Sequence, residues 1–174
     1  ENIADKATVA GVEIEIRKNL FVRPVSNAAH GMNKLSLGLN GSYIYTNAKM
    51  PLATVTTGSQ LEGAAPWIVN FDLSHNFTKG ERSFVNTLVL NYVSDKIYTI
   101  GTQGYQDVME QGVLILDFVS QAKLNKHLSL NLKARNLLNP SYKLSRKANE
   151  NGEKVILNDY KKGINISLGV SCTF

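Results

Sequence analysis

The chain has 174 residues, 43% of them hydrophobic, and a formal net charge of +5 with a pI near 9.3. This apolar fraction excludes a disordered chain, and the lack of about 18 consecutive apolar residues excludes a transmembrane helix. The basic residues form no block within the regular segments, so nucleic-acid binding is not expected. The single cysteine, Cys172, excludes an intrachain disulfide.

The first six residues, Glu1–Lys6, carry neither the basic n-region nor the apolar h-region of a signal peptide. A strand-like pattern follows them directly. We therefore expect the chain to begin inside a longer protein, although a cleaved mature N-terminus has the same features.

Apolar and polar residues alternate with a period of two from Ala7 onward, which is the pattern of β-strands. No segment with helical periodicity competes with it. The predicted fold is all-β, an antiparallel meander of about seven long strands. The strands are expected at about 7–21, 33–47, 66–78, 82–97, 112–125, 127–146 and 155–174.

Each strand separates an apolar face from a polar one, although 82–97 does so less cleanly because Val85, Val89 and Val93 fall opposite Leu88 and Leu90. The apolar face is expected to carry, in chain order, Val12, Ile14, Ile16, Leu20, Leu35, Leu37, Leu39, Tyr43, Tyr45, Trp67, Val69, Phe71, Leu73, Phe77, Leu114, Leu116, Phe118, Leu130, Leu132, Ala134, Leu138, Ile166, Leu168, Val170 and Cys172. The charged residues expected on the polar face, which would line the aqueous lumen of a barrel, are Glu13, Glu15, Arg17, Asp72, Asp117, Lys123, Lys133 and Arg135. His75 is the exception, because it falls on the apolar face.

Short and long connections alternate along the chain. The short ones are 23–32, 78–81 and 125–127, and the long ones are about 48–65, 98–111 and 147–154, where Asn149–Gly152 supplies turn residues. Outer-membrane barrels have short turns on the periplasmic side and long loops outside. The pattern therefore predicts a direction, with Phe174 at the periplasmic rim.

Two further features favour a membrane barrel over a soluble β-sandwich, which also alternates. The predicted strands have about 10–16 residues, whereas strands in globular proteins cluster near 5–6. Aromatic residues gather at the strand ends, as in interfacial girdles. They are Phe21, Phe77, Phe84 and Phe174 toward the short turns, and Tyr43, Tyr45, Trp67, Tyr98, Tyr142 and Tyr160 toward the long loops.

Four stretches resemble the C-terminal barrel of TonB-dependent receptors. Ala7–Glu15 is similar to the family's A-x-x-x-G-x-E strand, and Leu61–Asn70 contains its G-x-x-P-x-x-x-N pattern. Asn136–Tyr142 resembles its N-L-[FL]-[DN]-x-x-Y segment. Gly169–Phe174 resembles its terminal strand, in which the final aromatic, here Phe174, is the signal read by the barrel assembly machinery. The Asn-Pro pair and the long loops resemble Bacteroidetes-type members.

The resemblance implies a location in the outer membrane of a Gram-negative bacterium and a 22-stranded barrel around a plug domain, importing a scarce ligand with energy passed from TonB. Residues 1–174 would then be a partial barrel, its last seven or so strands, without plug or earlier strands. The expected partners are the rest of the receptor, outer-membrane lipid and lipopolysaccharide, TonB through the missing part, and the assembly machinery. Siderophore, cobalamin, peptide and oligosaccharide remain open as ligands.

Tyr98, Tyr105, Tyr142 and Arg146 lie in or beside the predicted long loops and are the candidates for ligand contact. A basic cluster near the last loop is expected to be solvated, with attraction to lipopolysaccharide phosphates as the alternative. It contains Lys143, Arg146, Lys147, Lys154, Lys161 and Lys162.

No catalytic motif or metal-spaced His/Cys cluster is visible, so we expect neither an enzyme nor a metal or other cofactor. His30, His75 and His127 lie in separate elements, and Cys172 has no accompanying base. Two alternatives to the transporter remain: a small autonomous outer-membrane barrel with a structural or adhesive role, and a soluble β-sandwich that binds a glycan.

Overall fold

The computed structural model describes residues 6–25, 31–49, 60–102, 104–148 and 152–174. The expectations for Glu1, His30, most of the loop at 48–65 and the turn at 149–151 lie outside these residues. Eleven strands are described: β1 Lys6–Pro24, β2 Met32–Lys49, β3 Trp67–Lys79, β4 Arg82–Val93, β5 Lys96–Thr99, β6 Val108–Glu110, β7 Val113–Lys123, β8 Leu128–Arg135, β9 Ser141–Lys147, β10 Lys154–Lys161 and β11 Asn165–Cys172.

The strands form two antiparallel sheets. The seven-stranded sheet has the order β1-β2-β3-β4-β7-β8-β11, and the four-stranded sheet has the order β10-β9-β6-β5. The all-β antiparallel architecture is as predicted. Within the described residues, no helix is long and apolar enough to cross a membrane.

Four of the seven predicted strands correspond to long segments that are interrupted once. Each of these segments contributes one strand to each sheet. The interruptions fall at 94–95, 111–112, 136–140 and 162–164, so that the predicted strands 82–97, 127–146 and 155–174 are each divided in two. The predicted long loop 98–111 is wrong in part, because it contains β6, which pairs with β5 and β9. The short strand escaped prediction because three residues show no readable alternation.

Side chains replace the missing strand-to-strand hydrogen bonds at these interruptions. The amide N of Gly112 donates to Asp95 Oδ1 at 2.6 Å, and that of Asn136 donates to Asp117 Oδ1 at 2.8 Å. The Asn136 side chain in turn donates to the Gly163 carbonyl, at 2.6 Å. Asn136 and Asn139 have φ of 58° and 43°, a left-handed conformation that asparagine tolerates better than most residues.

A β-bulge interrupts the register between β1 and β2. Asn19 lies opposite Ser36 and Phe21 lies opposite Leu35, which leaves Leu20 as an extra residue. A bulge shifts the alternation of the strand that carries it. The prediction that Leu20 continues the apolar series from Ile16 is therefore wrong, and Phe21 and Arg23 take that face instead.

The seven-stranded sheet is a single layer in the part of the chain that the structure describes. The buried apolar residues there are few, and most of them are small: Ala48, Ala65, Ile97, Val113, Ala134 and Tyr142. Leu116 and Leu132 are half-buried, and Leu168 is 71% exposed. A soluble sandwich buries one face of each sheet, and these residues show no second layer that would do so.

Candidate functional site

The two faces of the seven-stranded sheet differ sharply in chemistry. Residues directly opposite one another on neighbouring strands share a face. One row across five strands contains Ile16, Leu39, Phe71, Leu90 and Leu116. We call this side the apolar face. The register also places His75 on it, opposite Leu35, as the sequence predicted.

Aromatic pairs lie near both ends of the apolar face. Tyr43 on β2 packs against Trp67 on β3, with ring centroids 4.5 Å apart. Phe77 on β3 packs against Phe84 on β4 at 6.3 Å. Such tilted pairs on adjacent strands are favourable cross-strand contacts.

The opposite side, the polar face, carries charged and amide groups in rows of its own. All eight charged residues that the sequence assigned to it share it in the register. Gly38, Asp72, Val89 and Asp117 lie in one row with Arg17. The neighbouring rows place Glu13 opposite Ser42, Glu15 opposite Asn40, Lys123 opposite Ser83, Lys133 opposite Val119 and Arg135 opposite Asn165.

A ladder of side-chain hydrogen bonds crosses four strands on the polar face. Asn40 Nδ2 donates to Glu13 Oε1 at 2.5 Å, and Asn70 Nδ2 donates to Asn40 Oδ1 at 3.2 Å. Asn91 Nδ2 then donates to Asn70 Oδ1. Asn40 and Asn70 each use both the donor and the acceptor of the amide, so the ladder orients its members. The sequence alone does not reveal this ladder, because only the register between strands brings these asparagines together.

In the next row, Gly38 leaves space for the side chain of Asp72 from the neighbouring strand. A Cβ on Gly38 would lie 2.1 Å from Asp72 Oδ1, so the carboxylate occupies the space that a side chain would fill. This carboxylate leans from β3 over β2 toward Arg17 on β1, where Arg17 also pairs with Glu15. The polar face is therefore an organised arrangement of charges and amides.

Three tyrosines gather at the four-stranded sheet. Tyr142 and Tyr160 lie opposite each other with their rings stacked at a centroid distance of 5.5 Å. Tyr98 joins them around a cavity of about 160 Å³, which Glu110, Leu144 and Asn158 complete. Tyr142 is only 7% exposed, whereas Tyr98 is 51% exposed. The structure thus brings two of the predicted ligand-contact residues, Tyr98 and Tyr142, into one pocket.

The other two candidates contact each other. The Arg146 guanidinium carbon lies 4.9 Å from the centroid of the Tyr105 ring, a cation–π contact. Arg146 shares a face of β9 with Tyr142, four residues away, because side chains alternate along a strand. Lys162 lies over the Tyr142 ring at 3.8 Å.

The basic cluster is not confined to a loop and its flanks. Lys143, Arg146 and Lys147 lie in β9, and Lys154 and Lys161 lie in β10. The reason is that the β9–β10 hairpin pairs from Ser141 to Lys161 and leaves only a short connection. Lys143 is 3.8 Å from Asp159 across this hairpin. Within the described residues, no group of three His, Cys, Asp or Glu side chains is placed to hold a metal ion.

Residues 1–137 match the family described as "TonB dependent receptor-like, beta-barrel". Comparison with curated proteins gave no match, and comparison with solved structures gave none.

Proposed function

The chain belongs to the family of TonB-dependent receptor-like β-barrels, and from this premise we propose that it forms the C-terminal part of the wall of an outer-membrane importer. One observation carries the proposal: predominantly apolar rows and rows rich in charged and amide side chains lie on opposite faces of the same strands. Lipid on one side and water on the other stabilise that arrangement.

The apolar face meets lipid in this proposal. Charge at mid-membrane on a lipid-facing strand costs about 2–4 kcal/mol, and the row through Phe71 and Leu90 carries none. The polar face lines the aqueous lumen, where the asparagine ladder and the charges around Arg17 are hydrated. The edge of β1 that does not pair with β2, and the edge of β11 that does not pair with β8, pair with the other strands of the barrel. The rest of the receptor also supplies the plug and the segment that contacts TonB.

Ligand contact is proposed for the four-stranded sheet. Tyr98 and Tyr105 present exposed aromatic rings, and Arg146 presents a guanidinium beside one of them. Aromatic surface next to a fixed cation recognises ligands with both an apolar or sugar face and a negative group. Ferric siderophores, cobalamins, acidic oligosaccharides and acidic peptides all meet that description.

The experiment uses the complete gene that encodes this chain. Deletion of the gene is expected to abolish growth when one of these compounds is the only source of the scarce nutrient. A strain that lacks TonB is expected not to grow on the same compound. Fractionation is expected to place the protein in the outer membrane. A protein recovered entirely from the soluble fraction would refute the proposal.

A further inference from the structure

Polar residues interrupt the apolar face close to its short-turn end. One row there contains Leu35, His75, Asn86 and Ser120, three of them polar, between rows that are predominantly apolar. The polar groups pair with one another. His75 Nε2 lies 2.8 Å from Asn33 Oδ1, and Ser120 Oγ donates to Asn86 Oδ1 at 2.7 Å. A surface that contacts only acyl chains does not require these polar side chains.

The bulge in β1 adds a cation to this interruption. Without the bulge, regular alternation through Leu20 would turn Arg23 to the polar face. With it, Arg23 lies on the apolar face directly opposite Asn33, and its guanidinium carbon is 5.6 Å from the Phe21 ring centroid. Bulges commonly re-aim side chains in this way. Arg23 is exposed, so the guanidinium remains accessible.

Hydrogen-bond donors dominate the resulting group, which we call the rim cluster: Arg23, Asn33 and His75. Arg23 brings a guanidinium fork, and Asn33 brings the two N–H donors of its amide, whose oxygen already faces His75. Two more cations follow on the same face: Lys79 and Arg82 lie opposite each other across the β3–β4 turn, with Glu81 in the turn between them. The excess of charge there is positive.

We propose that the rim cluster binds the phosphate of a phospholipid headgroup in the leaflet on the short-turn side of the membrane. Arg23 and the Asn33 amide contact the phosphate oxygens, and Phe77, in the same row as Asn33, packs beside the glycerol and upper acyl chain. A lipid fits better than free phosphate because the cluster is continuous with the apolar face. The inference depends on the membrane placement proposed above.

The test uses the complete receptor in nanodiscs that contain phosphatidylglycerol and phosphatidylethanolamine. Native mass spectrometry counts the lipids that stay bound to the receptor after gentle removal of the disc. Arg23→Gln is expected to weaken retention of the bound phospholipid by about tenfold, since a charge-assisted contact is lost. Arg23→Lys should retain part of the binding. Lys34→Gln is the matched control, because Lys34 neighbours Asn33 but lies on the polar face, opposite Val22.

Equal lipid retention by wild type, Arg23→Gln and Lys34→Gln would overturn the inference. So would displacement of the lipid by millimolar inorganic phosphate, which would identify a free anion as the occupant, or co-purification of a protein at this rim in place of lipid. Failure of the wild-type receptor to enter nanodiscs at all would instead refute the membrane placement. TonB-dependent growth is expected to be the same for all three variants.

Discussion

Trp67 and Phe77 lie on the same face of β3, ten residues apart, and each packs against an aromatic ring of a neighbouring strand. At about 3.4 Å per residue and a strand tilt near 40°, ten residues rise about 26 Å along a barrel axis. Lipid-facing bands of outer-membrane barrels are about 25 Å tall and lie between aromatic girdles. In the proposed placement, the two aromatic pairs lie at the two membrane interfaces.

Charge placed halfway between these pairs tests that assignment. Leu90→Arg is expected to destabilise the barrel by about 2–4 kcal/mol, because Leu90 lies in the central apolar row. Val89→Arg is the matched control on the other face, where its neighbours in the row are Asp72 and Asp117. We expect it to be neutral. Urea unfolding of the complete receptor in lipid vesicles measures both, and equal losses would contradict the assignment of faces.

Two glycines of β2 are expected to respond differently to the same substitution. Gly38→Ala brings a Cβ to 2.1 Å from Asp72 Oδ1, so the carboxylate must rotate away from Arg17. Gly41→Ala meets nothing within 4 Å and is expected to stabilise by about 0.5–1 kcal/mol, since glycine weakens a strand interior. Thermal unfolding of both variants in detergent checks the difference in sign. A stabilising Gly38→Ala would show that the Asp72 arrangement contributes nothing.

Local alternation was sufficient to predict which face each side chain takes in most of the chain. Leu116 and Asp117 were assigned to opposite faces from their neighbours alone, and the register confirms it. A strand whose two faces differ in polarity carries that difference in its own alternation, so the signal survives without knowledge of the partners.

Features that depend on pairing between distant residues could not be predicted. The bulge between Asn19 and Phe21 leaves no mark on the hydrophobic pattern, because Leu20 and Phe21 are both apolar. The asparagine ladder depends on Asn40, Asn70 and Asn91 meeting in register from three strands. The aromatic pocket was predicted only as separate candidates, since Tyr98 and Tyr142 lie 44 residues apart.

Asn136 offers a way to separate backbone strain from side-chain bonding. Asn136→Gly removes the bond from Nδ2 to the Gly163 carbonyl without adding backbone strain, because glycine adopts φ of 58° freely. Asn136→Ala removes the same bond and adds strain, so it is expected to cost about 1 kcal/mol more than the glycine variant. Denaturant unfolding of the two variants gives the difference. Equal stabilities would mean that the chain relaxes out of the left-handed conformation.

Arg146 and Lys147 are adjacent cations on opposite faces of β9, which makes them a matched pair for testing ligand contact. Arg146→Gln removes the guanidinium that lies over Tyr105 and is expected to weaken binding of the imported compound by about tenfold. Lys147→Gln removes the same charge from the other face. Any loss of affinity in this variant comes only from long-range attraction, which salt screens. Titration of the compound that supports TonB-dependent growth, at low and at physiological salt, separates the two. Tyr98→Ala should add to the loss, because its exposed ring lines the neighbouring pocket. If both glutamine variants lose the same affinity at low salt and differ little from the wild type at physiological salt, the face that carries Arg146 does not hold the ligand.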